Sequence, residues 1–348
     1  MSKTITIGKR RIGDGQPALI VAEMSANHDR DLKQALALLD IAALAGVDAV
    51  KLQTYGPDSL TLKTNHPSAR VDPVWGAANL YELYAQAAMP YEFHEPLFKR
   101  AEELGLLIFS TVYDERDVDF LEKLGNPIYK IASFELVHLP LLRRVGQTRK
   151  PVVLSTGMAT LDEVQEALTA LTAGGAQEII LLHCCSAYPT PPEAANLAAM
   201  KTLRDAFHRP IGFSDHTLGV SVAAAAAALG ACFIEKHFTN DPQRKGPDHR
   251  FSASPEELRE LVRVVRLVES SIGKGDKATV ECEMESKRVG RRSIFAVVEI
   301  PQGAVIARDM VRVVRPAAGL HPRHLDEIIG RKARRKIPAG WPVTGEDV

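Results

Sequence analysis

Eight short apolar runs, each ending in polar residues, recur along the first three-quarters of the chain. They begin near Leu19 (LIVAE), Ala49 (AVKLQT), Leu107 (LIFSTV), Ile128 (IYKIAS), Val152 (VVLST), Ile179 (IILLHC), Ile211 (IGFSDH) and Cys232 (CFIEKH). Continuous rather than alternating hydrophobicity predicts parallel strands covered on both faces. Amphipathic stretches of helical period separate most of them. The stretch 31–45 stops at Gly46, where a helix C-cap is expected, and Thr160-Leu-Asp-Glu163 and Ser254-Pro-Glu-Glu257 read as capping boxes that open helices.

Alternation of eight strands with helices predicts an α/β chain folded as a (β/α)8 TIM barrel over roughly residues 15–273. An open, doubly wound sheet is the alternative. It would normally place a glycine-rich phosphate turn after the first strand, where Ala22-Glu-Met-Ser-Ala-Asn27 stands instead. The connection 54–79 after the second run carries Gly56, Pro57, Pro67, Pro73 and Gly76 with little periodicity, and reads either as a lid over a site or as a surface insertion. A linker-like segment follows the helix that ends near Ile272. From residue 293 the texture changes to short β-type runs divided by proline and glycine turns. Two domains are expected, 1–280 and 288–348. The second is small enough to need support from the barrel or from another subunit.

Charge adds an exclusion. Lys plus Arg and Asp plus Glu both number 43 in 348 residues, so nothing argues for a nucleic-acid or membrane-surface partner. The N-terminus lacks a long apolar stretch, and the alanine-rich segment 220–234 is too short and too weakly apolar to span a bilayer. Four cysteines without CxxC spacing fit a reducing compartment, and a cytoplasmic location is expected.

The chemistry is expected at one end of the barrel. Active sites of this architecture lie at the carboxyl ends of the strands. The polar residues there are Glu23, Lys51 with Gln53, Ser110 with Thr111, Lys130 with Ser133, Ser155 with Thr156, Ser186, Ser214 with His216, and Glu235 with His237. Period-two alternation places Lys51 and Gln53 on one face, as it does Ser214 and His216, and Glu235 and His237. Two lysines among hydroxyls suit a phosphate-bearing anion. Two histidines are a sparse metal set that water or substrate oxygens must complete, which suits a labile divalent ion acting as a Lewis acid. Singly, each residue has a plainer reading: a serine that caps a loop, a lysine in a salt bridge, a hydrogen-bonded structural histidine. Occurrence of both histidines at equivalent ends of consecutive strands favours function. His321-Pro-Arg-His324 and the basic run Arg331–Lys336 read as loop and solvated face.

At these residues the chain resembles the sialic acid synthase family, which condenses phosphoenolpyruvate with an N-acetylated amino sugar. The resemblance rests on Val-Ala-Glu23-Met-Ser-Ala-Asn-His28, Ala-Val-Lys51-Leu-Gln53-Thr, Tyr-Lys130-Ile-Ala-Ser133, Leu-Ser155-Thr-Gly-Met, Cys-Ser186-Ala-Tyr188-Pro-Thr-Pro, Gly-Phe-Ser214-Asp-His216-Thr, Ile-Glu235-Lys-His237-Phe-Thr and Gly246-Pro-Asp-His249. It continues through Arg291-Arg-Ser and Val-Arg315-Pro-Ala-Ala-Gly-Leu-His-Pro, which look like the family's antifreeze-like (SAF) module. Glu-Met-Ser-Ala-Asn-His, Leu80-Tyr-Glu-Leu-Tyr84 and Gly-Pro-Asp-His look most like its pseudaminic acid synthase branch. Ser186 stands where the neuraminate branch has asparagine, and Ala26 and Ala317 replace glycines of the family pattern.

The resemblance implies a transferase that joins phosphoenolpyruvate to a diacetamido-trideoxy sugar, with legionaminate and N-acetylneuraminate synthesis as the nearest alternatives. It implies that Lys51, Lys130, Thr111, Ser133, Ser155 and Ser214 hold phosphoenolpyruvate, and that Ser186 and Tyr188 line the same site. It implies Glu23 and Gln53 on the sugar, Glu235 in proton transfer or water positioning, and His216 and His237 on a divalent ion (Mn2+, Mg2+ or Co2+). It further implies a domain-swapped homodimer in which Arg315 touches the sugar in the partner's barrel. Rival readings are a Schiff-base aldolase using Lys130 or Lys236 and a non-catalytic sugar-binding protein. Lys236 alternates out of phase with His237, against the first.

Overall fold

A computed structural model of the chain describes residues 4–8, 10–72 and 76–348. Pro73 of the long connection lies outside these residues. The chain divides into two compact units, one ending at Gly273 and one beginning at Lys274.

The first unit opens with a hairpin that the periodicity did not announce, β1 (Thr4–Ile7) paired antiparallel with β2 (Arg10–Gly13). Eight strands follow: β3 (Leu19–Glu23), β4 (Ala49–Thr54), β5 (Leu107–Val112), β6 (Tyr129–Ile131), β7 (Val152–Ser155), β8 (Ile179–His183), β9 (Ile211–Asp215) and β10 (Phe233–His237). All pair in parallel with their sequence neighbours, and β10 returns to β3 to close the barrel. A helix follows each strand, so every strand is covered outside as well as inside, and this is why each reads as continuously apolar.

The helix signals act where they stand. Asp31 accepts from the Lys33 amide to open the helix Leu32–Ala45, and Gly46, at φ 80°, closes it. Both capping boxes form, at Thr160 with Glu163 and at Ser254 with Glu257. The connection after β4 is less irregular than its composition implied. It contains a helical turn at Pro57–Leu60 and leads into the helix Leu80–Ala87.

Two apolar layers result. Outward residues such as Ile20, Val50, Leu154 and Leu181 pack under Leu38, Leu97, Leu142 and Leu261 of the helices. Inside the barrel, Leu19, Val21, Phe109, Val153, Ile180, Leu182 and Phe233 fill the lower interior, and Ile5, Ile7 and Ile12 of the hairpin join that cluster. The interior is a packed plug rather than a channel. Gly212 faces into it on β9: a Cβ there would lie 2.5 Å from both Leu182 Cδ2 and the Phe233 carbonyl oxygen. The larger neighbours use the space that a side chain at 212 would take.

In the second unit β11 (Ser293–Ala296) pairs antiparallel with β12 (Val311–Val314). Ile294, Ile300, Ile306, Val311, Ile328, Ile337 and Val343 form a core of its own. No helix among the described residues is long and apolar enough to cross a membrane.

The Phe233 carbonyl belongs to a barrel strand and cannot turn aside, so Gly212→Ala should destabilise the barrel by about 1–3 kcal/mol, the range for overpacking a close-packed interior. A lowered urea midpoint with unchanged slope is the expected result; an unchanged midpoint would show that the contact relaxes freely.

Candidate active site

Register builds the site before any loop contributes. Glu23 on β3 stands opposite both His237 on β10 and Lys51 on β4. Thr111 on β5 stands opposite Gln53 on β4 and Lys130 on β6, and Ser214 on β9 opposite Glu235 on β10. A polar ring therefore rests on the apolar plug. Above it opens a cavity of about 340 Å³ lined by Lys51, Gln53, Lys130, Ser133, Ser155, Tyr188, Ser214, His216, Glu235 and His237.

At its centre Lys51 is buried between two carboxylates. Its Nζ lies 2.9 Å from Glu23 Oε2 and 3.3 Å from Glu235 Oε1, and donates to Thr111 Oγ1 at 3.1 Å. Burial opposes the charge on Lys51, but the two carboxylates outweigh it and hold the ammonium's pKa above the usual lysine value. Burial also drives the Glu23 carboxyl up, with Lys51 offsetting only part of this. For Glu235 burial works in the same direction, yet the Lys51 and Lys130 charges hold it below the usual carboxylate range. Ser214 Oγ donates to Glu235 Oε1 at 3.0 Å, and Gln53 Nε2 to Glu23 Oε1 at 3.0 Å. The other Glu235 oxygen, Oε2, is buried without a hydrogen-bond partner.

Lys130 differs from Lys51. No carboxylate bonds it; its Nζ donates to Ser155 Oγ at 2.7 Å and to the Ile131 carbonyl at 3.2 Å. Burial and the neighbouring Lys51 charge push its pKa down to about 8. A desolvated cation that lacks a counter-ion among hydroxyls is a ready acceptor of an anionic group.

The two histidines meet at the rim with ring centroids 5.5 Å apart, and Tyr188 packs against both, at 4.3 Å from the His216 ring and 5.9 Å from that of His237. Burial lowers the pKa of each, that of His237 well below the ordinary value, so both rings are neutral near pH 7. His216 Nδ1–H donates to the Cys185 carbonyl at 2.8 Å, which leaves its Nε2 lone pair unprotonated. Nδ1 of His237 is buried without a hydrogen-bond partner. Neutral rings, one oriented from behind by a backbone carbonyl, fit a metal-binding pair. Among the described residues no group of three or more His, Cys, Asp or Glu converges to hold an ion, so an ion on this pair would need oxygens from water or substrate beside the two rings.

Not every residue on the expected rim turns inward. Ser110 faces the helices, where its Oγ meets Thr54 Oγ1 at 2.6 Å in a chain ending at His94. Thr156 donates to the Leu182 carbonyl, and Lys236 is paired with Asp215 at 2.8 Å behind the barrel wall. Ser186 Oγ is buried without a partner beside Gly157 and Ser133. Arg315 belongs to the second unit.

Strand reading missed two carboxyls that line the cavity. Glu135 follows Ser133 on a tight turn after β6; burial pushes it up to about 7, and its Oε2 has no hydrogen-bond partner. Asp248, on the loop after β10, is bonded by the Ser25 hydroxyl and at 3.3 Å by the Ala26 amide, and burial raises its pKa. Its only sequence signal is its place in Gly246-Pro-Asp-His249.

The chain is similar over nearly its whole length to known proteins. The NeuB family model matches residues 38–277, and the SAF domain model matches 291–348. The chain is 38% identical to the pseudaminic acid synthase of Helicobacter pylori, covering 96% of this chain and 98% of that protein. It is 36% identical to the N,N'-diacetyllegionaminic acid synthase of Campylobacter jejuni, covering 91% and 96%. Among solved structures, the spore coat polysaccharide biosynthesis protein SpsE of Bacillus subtilis superposes with a TM-score of 0.68 at 35% identity, covering 99% of both chains. The N-acetylneuraminic acid synthetase of Leptospira borgpetersenii superposes at 0.73 and 32% identity, covering 82% of this chain and 95% of that one. With a closed barrel, a polar rim and matches of this extent, the chain belongs to the NeuB family and ends in a SAF domain.

Proposed function

We propose that this chain is a pseudaminic acid synthase, condensing phosphoenolpyruvate with 2,4-diacetamido-2,4,6-trideoxy-L-altrose and water to give pseudaminic acid and phosphate. The observation that carries a phosphoenolpyruvate-dependent synthase is the joint presence, in one cavity, of Lys51 and Lys130 among hydroxyl donors and of two neutral histidines. The preference for the diacetamido-trideoxy sugar rests on the likeness of Glu-Met-Ser-Ala-Asn-His, Leu80-Tyr-Glu-Leu-Tyr84 and Gly-Pro-Asp-His to that branch, since synthases of both nonulosonates are similarly close relatives.

Lys130, with Ser133, Ser155, Ser186 and Ser214, takes the phosphate and carboxylate of phosphoenolpyruvate. Lys51, fixed by Thr111 and its two carboxylates, supplies the second positive charge. His216 and His237 would hold a divalent ion (Mn2+, Mg2+ or Co2+), which when bound supplies Lewis-acid polarisation of the sugar aldehyde. Carbon 3 of phosphoenolpyruvate bonds to the aldehyde carbon, and the aldehyde oxygen takes a proton to become a hydroxyl. Water adds to the cationic carbon 2 and loses a proton. The resulting intermediate expels phosphate by breaking the C–O bond as its new hydroxyl becomes the ketone. Glu23, whose carboxyl is pushed up, suits proton delivery and, with Gln53, hydrogen bonding to the sugar. Glu235, kept ionised with a free oxygen, suits orientation of the water. Tyr188, Glu135 and Asp248 complete the walls on which the sugar's neutral donors rest. Arg315 serves the barrel of the partner in a domain-swapped homodimer.

Phosphate release should be seen with phosphoenolpyruvate and the altro-configured diacetamido sugar, in preference to its manno isomer and to N-acetylmannosamine. His216→Ala and His237→Ala should abolish it while thermal melting stays cooperative, and a chelator should do the same to the unaltered protein until the ion is restored. Undiminished turnover in both variants in metal-stripped buffer would remove the metal from the reading.

Lys130 loses its proton through about pH 8, and the anion binds the protonated form. The KM for phosphoenolpyruvate should therefore be flat below that pH and rise about tenfold per unit well above it. A Lys130→Arg variant, charged throughout, should lose this dependence.

In the swapped dimer each site uses the partner's Arg315. Mixing inactive Lys51→Ala and Arg315→Ala proteins and letting subunits exchange should restore about a quarter of wild-type activity, because one site in each mixed dimer is then intact. No recovery would place Arg315 in the site of its own chain or outside any site.

A further inference from the structure

The loop after β10 carries a cluster that the reaction above does not use. His249 is fully buried. Its Nε2 lies 2.9 Å from Asp29 Oδ1 and its Nδ1 lies 2.6 Å from Thr239 Oγ1. A carboxylate only accepts, so Nε2 carries the proton, and the Thr239 hydroxyl donates to Nδ1. Both ring nitrogens are thereby satisfied and the tautomer is fixed. Gly246 is the close neighbour of the ring: a Cβ there would stand 2.7 Å from His249 Cδ2. Arg244 of the same loop also bonds Asp29.

Asp29 belongs to the turn after β3, where Ser25, Asp29 and Arg30 all adopt left-handed backbone at φ 46°, 49° and 54°. Non-glycine residues hold that conformation only where surrounding contacts dictate it. The contacts here run to the loop after β10. Besides Asp29 with His249, Asn27 Nδ2 donates to Ser252 Oγ at 2.8 Å and to the Phe238 carbonyl at 2.7 Å, and the Ser25 hydroxyl bonds Asp248. Ser252 Oγ in turn donates to the Asp248 carbonyl at 2.7 Å. Asp248 is thus held at its side chain by Ser25, at its carbonyl by Ser252, and through the next residue by the Asp29–His249–Thr239 chain.

We infer that His249 is a positioning residue: locked between Asp29 and Thr239, with its ring against Gly246, it sets the backbone that presents the Asp248 carboxylate to the acceptor sugar. This rests on the synthase reading. Unlike Glu23 and Glu235, Asp248 makes no ion pair with Lys51 or Lys130 and accepts from a hydroxyl and an amide, so it suits a ligand's neutral donors; hydroxyl and amide N–H groups belong to the amino sugar, not to phosphoenolpyruvate. The lysines that serve the anion, Lys51 and Lys130, are fixed by barrel strands and share no bond with His249.

The test is steady-state kinetics on the full chain with phosphoenolpyruvate and the panel of sugars. His249→Asn, too short to reach Asp29, and Asp29→Ala, which leaves the histidine in place, should each raise the KM for the sugar by roughly tenfold or more, as small misplacements of a contact do. The KM for phosphoenolpyruvate should stay within about twofold. In an Asp248→Asn background the His249→Asn change should add less than about twofold, because it acts through the group already altered. Equal rises in both KM values, or multiplication of the two effects in the double variant, would overturn the inference and leave the synthase reading standing. Absence of phosphate release by the unaltered protein with every sugar would overturn the synthase reading, and this inference with it. Melting curves separate misfolding from mispositioning, and Asp29→Ala provides the second route if His249→Asn does not fold.

Discussion

A lysine held in the barrel mouth between two buried carboxylates is the constraint on which the rest is built. Removing one ammonium and two carboxylates from water costs several kcal/mol per ion unless geometry returns it. The return comes from the barrel itself: Glu23, Lys51 and Glu235 lie on strands that meet through β3, the seam where the barrel closes. Removing Lys51 would leave two buried carboxylates facing one another without the cation between them. The pairing that closes the barrel, β10 on β3, is also the one that brings the two carboxylates to the lysine on β4.

The same triad explains why Lys130 is available. Lys51's charge is occupied by its own carboxylates, while Lys130 has only a hydroxyl and a carbonyl and feels Lys51 as a repulsive neighbour. One cation is fixed in place by carboxylates of the rim, and the other stands among neutral acceptors, open to an anionic ligand. The histidine pair is treated similarly, with one ring oriented by the Cys185 carbonyl and both kept uncharged by burial.

Much of the barrel was legible because parallel strands buried on two faces leave an unbroken apolar signature; β4 and β5 begin and end where the sequence runs do. Alternation also separates Thr111, which reaches Lys51, from Ser110, which turns to the helices. The N-terminal hairpin escaped because four-residue strands with basic and threonine side chains carry too little pattern. Glu135 and Asp248 escaped for a different reason: their place depends on turns whose course is set by distant contacts, such as Ser25 on Asp248. A carboxylate at a strand end has an address in the sequence, whereas one on a loop acquires its address only from what the loop is tied to.

The hairpin that packs beneath the interior has a consequence for traffic. With Ile5, Ile7 and Ile12 packed beneath and Phe109, Leu182 and Phe233 filling the middle, the described residues close the barrel below and leave the cavity open at the carboxyl ends of the strands. Lys51 and Lys130 stand on strands in the polar ring at the base of the cavity, while Asp248 and Glu135 stand on the loops that wall it. Anything that reaches the two lysines must pass between those walls, so the loops that carry Asp248 and Glu135 border the only approach the described residues leave to the polar ring.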